Sequence, residues 1–317
     1  MHLVEDEVFT PVPPGHEAYN APLVIHCRPS VARAGLVLFL HGLGGRRYGT
    51  WGEIPRYVFE DCPDAAVGLY DYRSGLRGLR PWSTASLPDL AKELADVVRD
   101  GQFTRIVMIG HSMGGLLAKA IVKDLIDSGA RSADGFPAIA RISGLILMAT
   151  PQAGSLRVPG ALGMLTRDGR TLRAHSRFVT ELNETFKNRI DNTGEALARL
   201  DHDASIPVFG VIGLRDAWVD RLSASLDLPR SQTKNVRESH TSIVKPASRH
   251  DGAYEWILGR IKDCLARNYL GDAPAKAAES SRLTARWNPA SRRLELILGS
   301  QVELTWISDP DGEEDRK

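Results

Sequence analysis

A serine hydroxyl is a weak nucleophile until its surroundings activate it, and one serine in this chain stands in a setting suited to that. Gly110-His111-Ser112-Met113-Gly114-Gly115 follows the apolar run Ile106 to Ile109 and opens a helical run from Leu116. The five residues from Gly110 fit G-x-S-x-G, a sharp strand-to-helix turn that holds a serine strained and exposed. Glycine is required on both sides, because a side chain there would collide with the neighbouring strand and helix. Taken alone the pattern proves nothing in a chain of this length. The strand before it, the helix after it and the doubled glycine separate it from an ordinary glycine-rich turn. The chemistry it predicts is covalent catalysis, with Ser112 as nucleophile.

Other chemistries find less support. Cys27, Cys62 and Cys264 are scattered and odd in number, with neither a disulfide framework nor metal-ligand spacing, so no metal site is expected and a reducing compartment is the simplest reading. A formal net charge of +1 gives no electrostatic case for nucleic acid or acidic lipid as main partner. Arg282, Arg286, Arg292 and Arg293 with Trp287 read as a solvated face of alternating strands. Ser242-Ile243-Val244-Lys245 matches S-x-x-K but lacks that motif's helix and companion motifs.

The elements that must position Ser112 alternate through most of the chain. Leu23 to Cys27, Gly35 to Leu40, Ala65 to Asp71, Arg105 to Gly110, Ile142 to Ala149, Ile206 to Gly213 and Lys234 to Arg237 read as strands. Their continuous apolar runs suit a sheet covered on both faces. Leu87 to Arg99, Met113 to Ser128 and Tyr254 to Arg267 read as helices, and the alternation predicts a mostly parallel α/β fold. A composition 43% hydrophobic and 25% charged is that of a globular protein able to bury a sizeable core.

Two segments break the alternation. Residues 151–203 are too long for a plain connection. Within them Phe178, Leu182, Phe186 and Ile190 recur every four residues, as on a helix face that either packs on the core or closes as a lid over the site. After a small, polar linker at 271–281, residues 282–308 alternate in Leu283/Ala285/Trp287, Leu294/Leu296/Leu298 and Val302/Leu304/Trp306. Joined by Asn288-Pro289-Ala290-Ser291 and Gly299-Ser300, they predict a three-stranded antiparallel meander with one apolar face. The charged stretch 309–317 reads as a disordered tail, leaving 1–270 as the main domain. The acidic start lacks the basic and apolar regions of a signal peptide, and no apolar run is long enough to span a bilayer; the expectation is a cytoplasmic protein.

Phe39-Leu40-His41-Gly42-Leu43-Gly44-Gly45, the Ser112 hexapeptide, Ala149-Thr150-Pro151 and Ser239-His240-Thr241-Ser242-Ile243-Val244-Lys245-Pro246 occur in that order. Together they resemble the lipase-like serine esterases of the α/β-hydrolase superfamily, over roughly residues 20 to 268. The last motif is especially similar to a subgroup whose hydrolase domain is often fused to other modules. The triad order of that superfamily puts the general base after the last strand and before the final helix, which singles out His240 among nine histidines. His250 is the fallback, and His202 precedes a strand rather than following the final one. The orienting acid is expected on the loop after Ile206 to Gly213. Asp216 fits, with a valine three residues on as in similar hydrolases, and Asp220 on the same loop is the alternative.

Backbone N–H groups of Met113 and Leu43 are expected to form the oxyanion hole, the first at a helix N-terminus and the second on the glycine loop. His41 is read as shaping that loop. Asp71-Tyr72-Arg73-Ser74-Gly75 is read either as lining the substrate pocket or as a surface loop, and Gln152 stands where similar esterases often carry histidine. The whole implies hydrolysis of a carboxylic ester, of a lipid or another hydrophobic acyl group, with no cofactor. Thioester, amide or acyl-transfer chemistry would use the same groups. A rival reading makes the chain a partner-gated interaction module, docking through the C-terminal strands onto a second copy or another protein. Peripheral membrane contact is compatible with either.

Overall fold

The computed structural model describes residues 1–29, 35–72, 74, 86–154, 176–193 and 202–267, together with the backbone of three C-terminal strands. The strands are β1 (His2–Glu5), β2 (Leu23–Cys27), β3 (Gly35–Leu40), β4 (Ala65–Tyr70), β5 (Arg105–His111), β6 (Ile142–Met148), the short β7 (Ile190–Asp191) and β8 (Ala204–Ser205), β9 (Val208–Gly213), β10 (Thr233–Val236), β11 (Leu283–Asn288), β12 (Arg293–Leu298) and β13 (Val302–Thr305). The helices are α1 (Ile54–Asp61), α2 (Leu87–Asp100), α3 (Met113–Ser128), α4 (Arg177–Arg189), α5 (Arg221–Ala224) and α6 (Gly252–Ala266).

Eight strands form one sheet in the order β1-β2-β4-β3-β5-β6-β9-β10. From β4 to β10 every pairing is parallel, whereas β2 runs antiparallel to β4 and carries β1 parallel beside it. The continuous apolar runs are explained by burial on both faces. Leu36, Leu38, Leu40, Ile106 and Met108 face α2 and α3 in one core cluster. Val37, Phe39, Val107 and Ile109 face α1 and α6 in another. The fold class read from the alternation, a mostly parallel sheet with helices on both faces, is the one observed. Because the central strands are parallel, Leu40, Tyr70, His111, Met148, Gly213 and Val236 all end at one edge, and the loops that follow them gather there.

Most strand and helix ends fall within two residues of expectation. Besides the short β7, β8 and α5, the elements without a strong pattern are β1 and α1. β1 lies in the acidic N-terminal stretch, and the eight-residue α1 opens on a proline at its first turn. The four-residue repeat at 178–190 faces the core: Leu182 and Ile190 are buried, and Phe178 and Phe186 pack against the same cluster as α3. The rest of that insertion, 155–175 and 194–201, lies outside the described residues.

Residues 1–267 and 268–317 form two compact units. In the second unit β12 pairs antiparallel with β11 and with β13. The register sets Leu283 opposite Leu298, Ala285 opposite Leu296 and Trp287 opposite Leu294, so the alternating apolar positions fall opposite one another. The linker at 271–281, the two connections and the tail at 309–317 lie outside the described residues. Among the described residues no helix is long and apolar enough to cross a membrane.

Candidate active site

Ser112 is the first residue past β5, and its backbone sits at φ 52°, ψ −123°. A non-glycine residue in that region costs about 1–3 kcal/mol, so the surroundings must hold it there. Ser112 N–H donates to the Met148 carbonyl at 2.9 Å, tying the turn to β6, and Gly115 N–H donates back to Ser112 O at 3.0 Å. Glycine is obligatory at Gly114, where a Cβ would fall on the Leu40 carbonyl oxygen, and at Gly42, where it would lie 2.8 Å from Ser112 Cβ. The glycine loop after β3 and the serine turn after β5 are therefore in direct contact.

His240 comes from the loop between β10 and α6. Buried Ile243 and Val244 anchor that loop, and Ser239 N–H donates to Ser242 Oγ at 2.9 Å, so the serine of the S-x-x-K match closes this turn. His240 Nε2 lies 3.0 Å from Ser112 Oγ, and Nδ1 lies 2.8 Å from Asp216 Oδ2. The other Asp216 oxygen accepts the N–H groups of Trp218 at 2.8 Å and Val219 at 3.0 Å. Burial pushes the Asp216 carboxyl up, but the hydrogen bonds from His240 and from the Val219 and Trp218 amides outweigh it and hold the acid below its usual range.

Two more aromatic rings frame His240. His111 Nε2–H donates to the His240 carbonyl at 2.8 Å. Burial, with the neighbouring His240 charge, lowers its pKa to about 3, so it serves as a neutral tether. The Trp218 indole stacks on the other side of the His240 ring, with centroids 4.9 Å apart and planes 19° from parallel. Neither role has a periodicity or motif that sequence reading could use; adjacency to Ser112 and Asp216 is the only hint.

Asp220, His250 and His202 lie outside this row. Asp220 caps α5, its carboxylate accepting Ser223 N–H at 2.9 Å. His250 is a surface residue 3.7 Å from Glu255, its side chain 94% exposed, and His202 leads into β8. The Met113 amide opens α3, in the first turn where helical N–H groups have no intrahelical acceptor. Leu43 follows Gly42 on the loop that touches Ser112, and Gly44 beside it has φ +70°. Among the described residues no group of three or more His, Cys, Asp or Glu side chains could hold a metal ion.

A second polar cluster hangs from α3. Lys119 is buried, and its ammonium donates to Asn183 Oδ1 of α4 at 2.9 Å and to Gln152 Oε1 at 3.4 Å. Its Nζ also sits 4.6 Å from the centre of the Phe186 ring. Gln152 Nε2 donates to the Ala224 carbonyl at 3.0 Å, and Asn183 Nδ2 to the Gln152 carbonyl at 2.7 Å. Burial lowers the Lys119 pKa to about 8, against a smaller raising by the charge of Asp227.

The sequence matches the model of the alpha/beta hydrolase family over residues 37–311. The chain belongs to that family. Several solved structures are similar to this hydrolase. The lipase BlEst2 of Bacillus licheniformis, in mature form, is 16% identical with a TM-score of 0.46, covering 77% of this chain and 97% of its own. The type II thioesterase BorB of the borrelidin biosynthetic cluster is 18% identical with a TM-score of 0.45, covering 75% and 93%. An esterase of Pyrobaculum calidifontis is 16% identical with a TM-score of 0.45, covering 77% and 80%. No curated protein matches the sequence.

Proposed function

We propose that this hydrolase is a serine esterase that cleaves a carboxylic ester through an acyl-enzyme on Ser112. The observation that supports it is the unbroken row from Ser112 Oγ to His240 at 3.0 Å and from His240 to Asp216 at 2.8 Å. His240 Nε2 takes the serine proton as Oγ attacks the carbonyl carbon, and the resulting imidazolium is oriented and stabilised by Asp216. The tetrahedral oxyanion is held by the Leu43 and Met113 amides, the latter aided by the α3 dipole. The intermediate collapses as His240 returns the proton to the departing alkoxide. Water, deprotonated by the same imidazole, then attacks the acyl carbonyl; loss of Ser112 Oγ with its proton regenerates the enzyme.

A hydrophobic acyl group is the substrate class this reading favours. Labelling by a fluorophosphonate probe tests it. Wild type should be labelled and should hydrolyse a short-chain aryl ester, and Ser112→Ala should do neither. Equal labelling of the two proteins, or an unlabelled wild type, rejects the assignment.

A further inference from the structure

The glycine loop is wired to residues that the catalytic row does not use. The peptide unit joining Gly42 to Leu43 carries the Gly42 carbonyl at one end and the Leu43 N–H at the other. That carbonyl accepts three hydrogen bonds: from His41 Nδ1–H at 2.9 Å, from Gly45 N–H at 3.0 Å and from Ser74 Oγ–H at 3.4 Å. Ser74 Oγ also accepts Gly44 N–H at 2.9 Å, so one buried hydroxyl grips the loop at two points.

His41 is fully buried, and both its ring nitrogens face acceptors. Nδ1 meets the Gly42 carbonyl, which can only accept, and Nε2 meets the Asp71 carboxylate at 3.2 Å. The Tyr72 N–H also points at Nε2, donating to it at 3.4 Å. The imidazole thus bridges the Asp71 carboxylate and the Gly42 carbonyl. Tyr72 locks the arrangement by stacking on the imidazole, with centroids 4.3 Å apart and planes 4° from parallel, while its hydroxyl donates to the His41 carbonyl at 2.5 Å. The side chain of Asp71 is 44% exposed, so the line runs from the surface to the loop that touches Ser112.

Resting on the serine-esterase reading above, we infer that Asp71 and His41, with Ser74, form a relay that polarises the Gly42–Leu43 peptide and so strengthens the Leu43 N–H as an oxyanion donor. Donation to an amide oxygen draws electron density from its nitrogen and makes the N–H a better donor; hydrogen bonds in a chain reinforce one another in this way in a low-dielectric interior. The benefit falls on the transition state, because negative charge develops there and not on the bound ester. These are positioning residues, acting on the reaction only through the Leu43 amide.

The test uses the full chain and three variants, Asp71→Asn, Asp71→Glu and Ser74→Ala. Asp71→Asn keeps the shape and an acceptor oxygen while removing the charge. It should lower kcat on an aryl ester about tenfold, a fraction of the roughly hundredfold or more that follows loss of a whole oxyanion donor. KM should stay within about twofold, since uniform binding is untouched. A trifluoromethyl ketone, which forms a tetrahedral oxyanion with the serine, should bind the variant more weakly by the same factor as kcat/KM falls. Asp71→Glu should restore most of kcat, and Ser74→Ala should lower kcat with KM held. Unchanged kcat in Asp71→Asn, a matching rise in KM, or unaltered ketone affinity overturns the relay. If Ser112→Ala abolishes turnover while Asp71→Asn is silent, only the relay fails; if Ser112→Ala stays active, the reading beneath it fails.

Discussion

Two buried polar clusters flank α3, and they differ in what stands opposite the titratable base. In one, His240 faces the ionised carboxylate of Asp216, which itself accepts two backbone N–H groups. In the other, the hydrogen-bond acceptors of Lys119 among the described residues are neutral oxygens, those of Gln152 and Asn183, and its ammonium also meets an aromatic ring. A carboxylate stabilises a proton gained during turnover, so the first arrangement suits a base that is charged and discharged in each cycle. Amide oxygens satisfy hydrogen bonds without neutralising charge, so the second holds elements together and leaves a burial cost in place. The polar side chains spanning α3, the loop after β6 and α4 make Lys119 a clamp on the insertion.

Four experiments would break or sharpen that contrast. The largest effect belongs to the first cluster. His240→Ala should lower kcat at least about a thousandfold and Asp216→Asn by a comparable factor, with Asp220→Asn within about threefold, in steady-state assays on an aryl ester. A large loss in Asp220→Asn with a small one in Asp216→Asn would reverse the roles of the two acids.

The second concerns pH. With its pKa lowered from 10.5 to about 8, Lys119 gives up its proton in the folded state before it does so in the unfolded chain. The unfolded state therefore binds more protons between those values, and stability rises with pH across that window. The cost, about 3 kcal/mol, is present in full below about pH 8 and relieved as the pH climbs towards the unfolded value. Urea unfolding of wild type and Lys119→Met at about pH 7 and about pH 10 should show that rise in the wild type alone. Parallel curves for the two proteins would place the ammonium in a solvated setting.

Third, Asn183→Ala should cost about 1–3 kcal/mol, because it leaves the buried ammonium short of an acceptor, yet the rate of fluorophosphonate labelling should change little. A labelling rate that collapses with stability intact would join the two clusters into one functional unit. The smallest effect is expected at Trp218. Trp218→Ala removes a stacking partner from His240, and a few-fold loss of kcat, on the scale of a ~1 kcal/mol cation–π contact, should be restored by Trp218→Phe.

Burial also decides which parts of the molecule are legible in its sequence. The central strands were legible because burial on both faces leaves unbroken apolar runs, as in Leu36 to Leu40. The serine turn was legible because its glycines are imposed by close contacts, Gly110 with the Gly115 backbone and Gly114 with the Leu40 carbonyl. Lys119 was not: a lysine on a helix reads as solvated, and its burial is decided by Asn183 and Phe186, more than sixty residues later in the chain. Which of Asp216 and Asp220 meets His240 is illegible for a similar reason, since two carboxylates on one loop differ only in which way the turn aims them. The direction of β2 was also beyond reach, because strand polarity depends on how a connection runs and an apolar run has none.

Ser112 and His240 are 128 residues apart in sequence, and His111 reaches the His240 carbonyl across 129. Such closures carry a large chain-entropy cost that only a completed sheet meets, because β5, β6, β9 and β10 must already lie side by side before the loops at their ends can touch. Activity is in this sense a gauge of the finished molecule: no early intermediate with local helices alone can display it. In a denaturant titration, loss of turnover should track the collapse of the central strands.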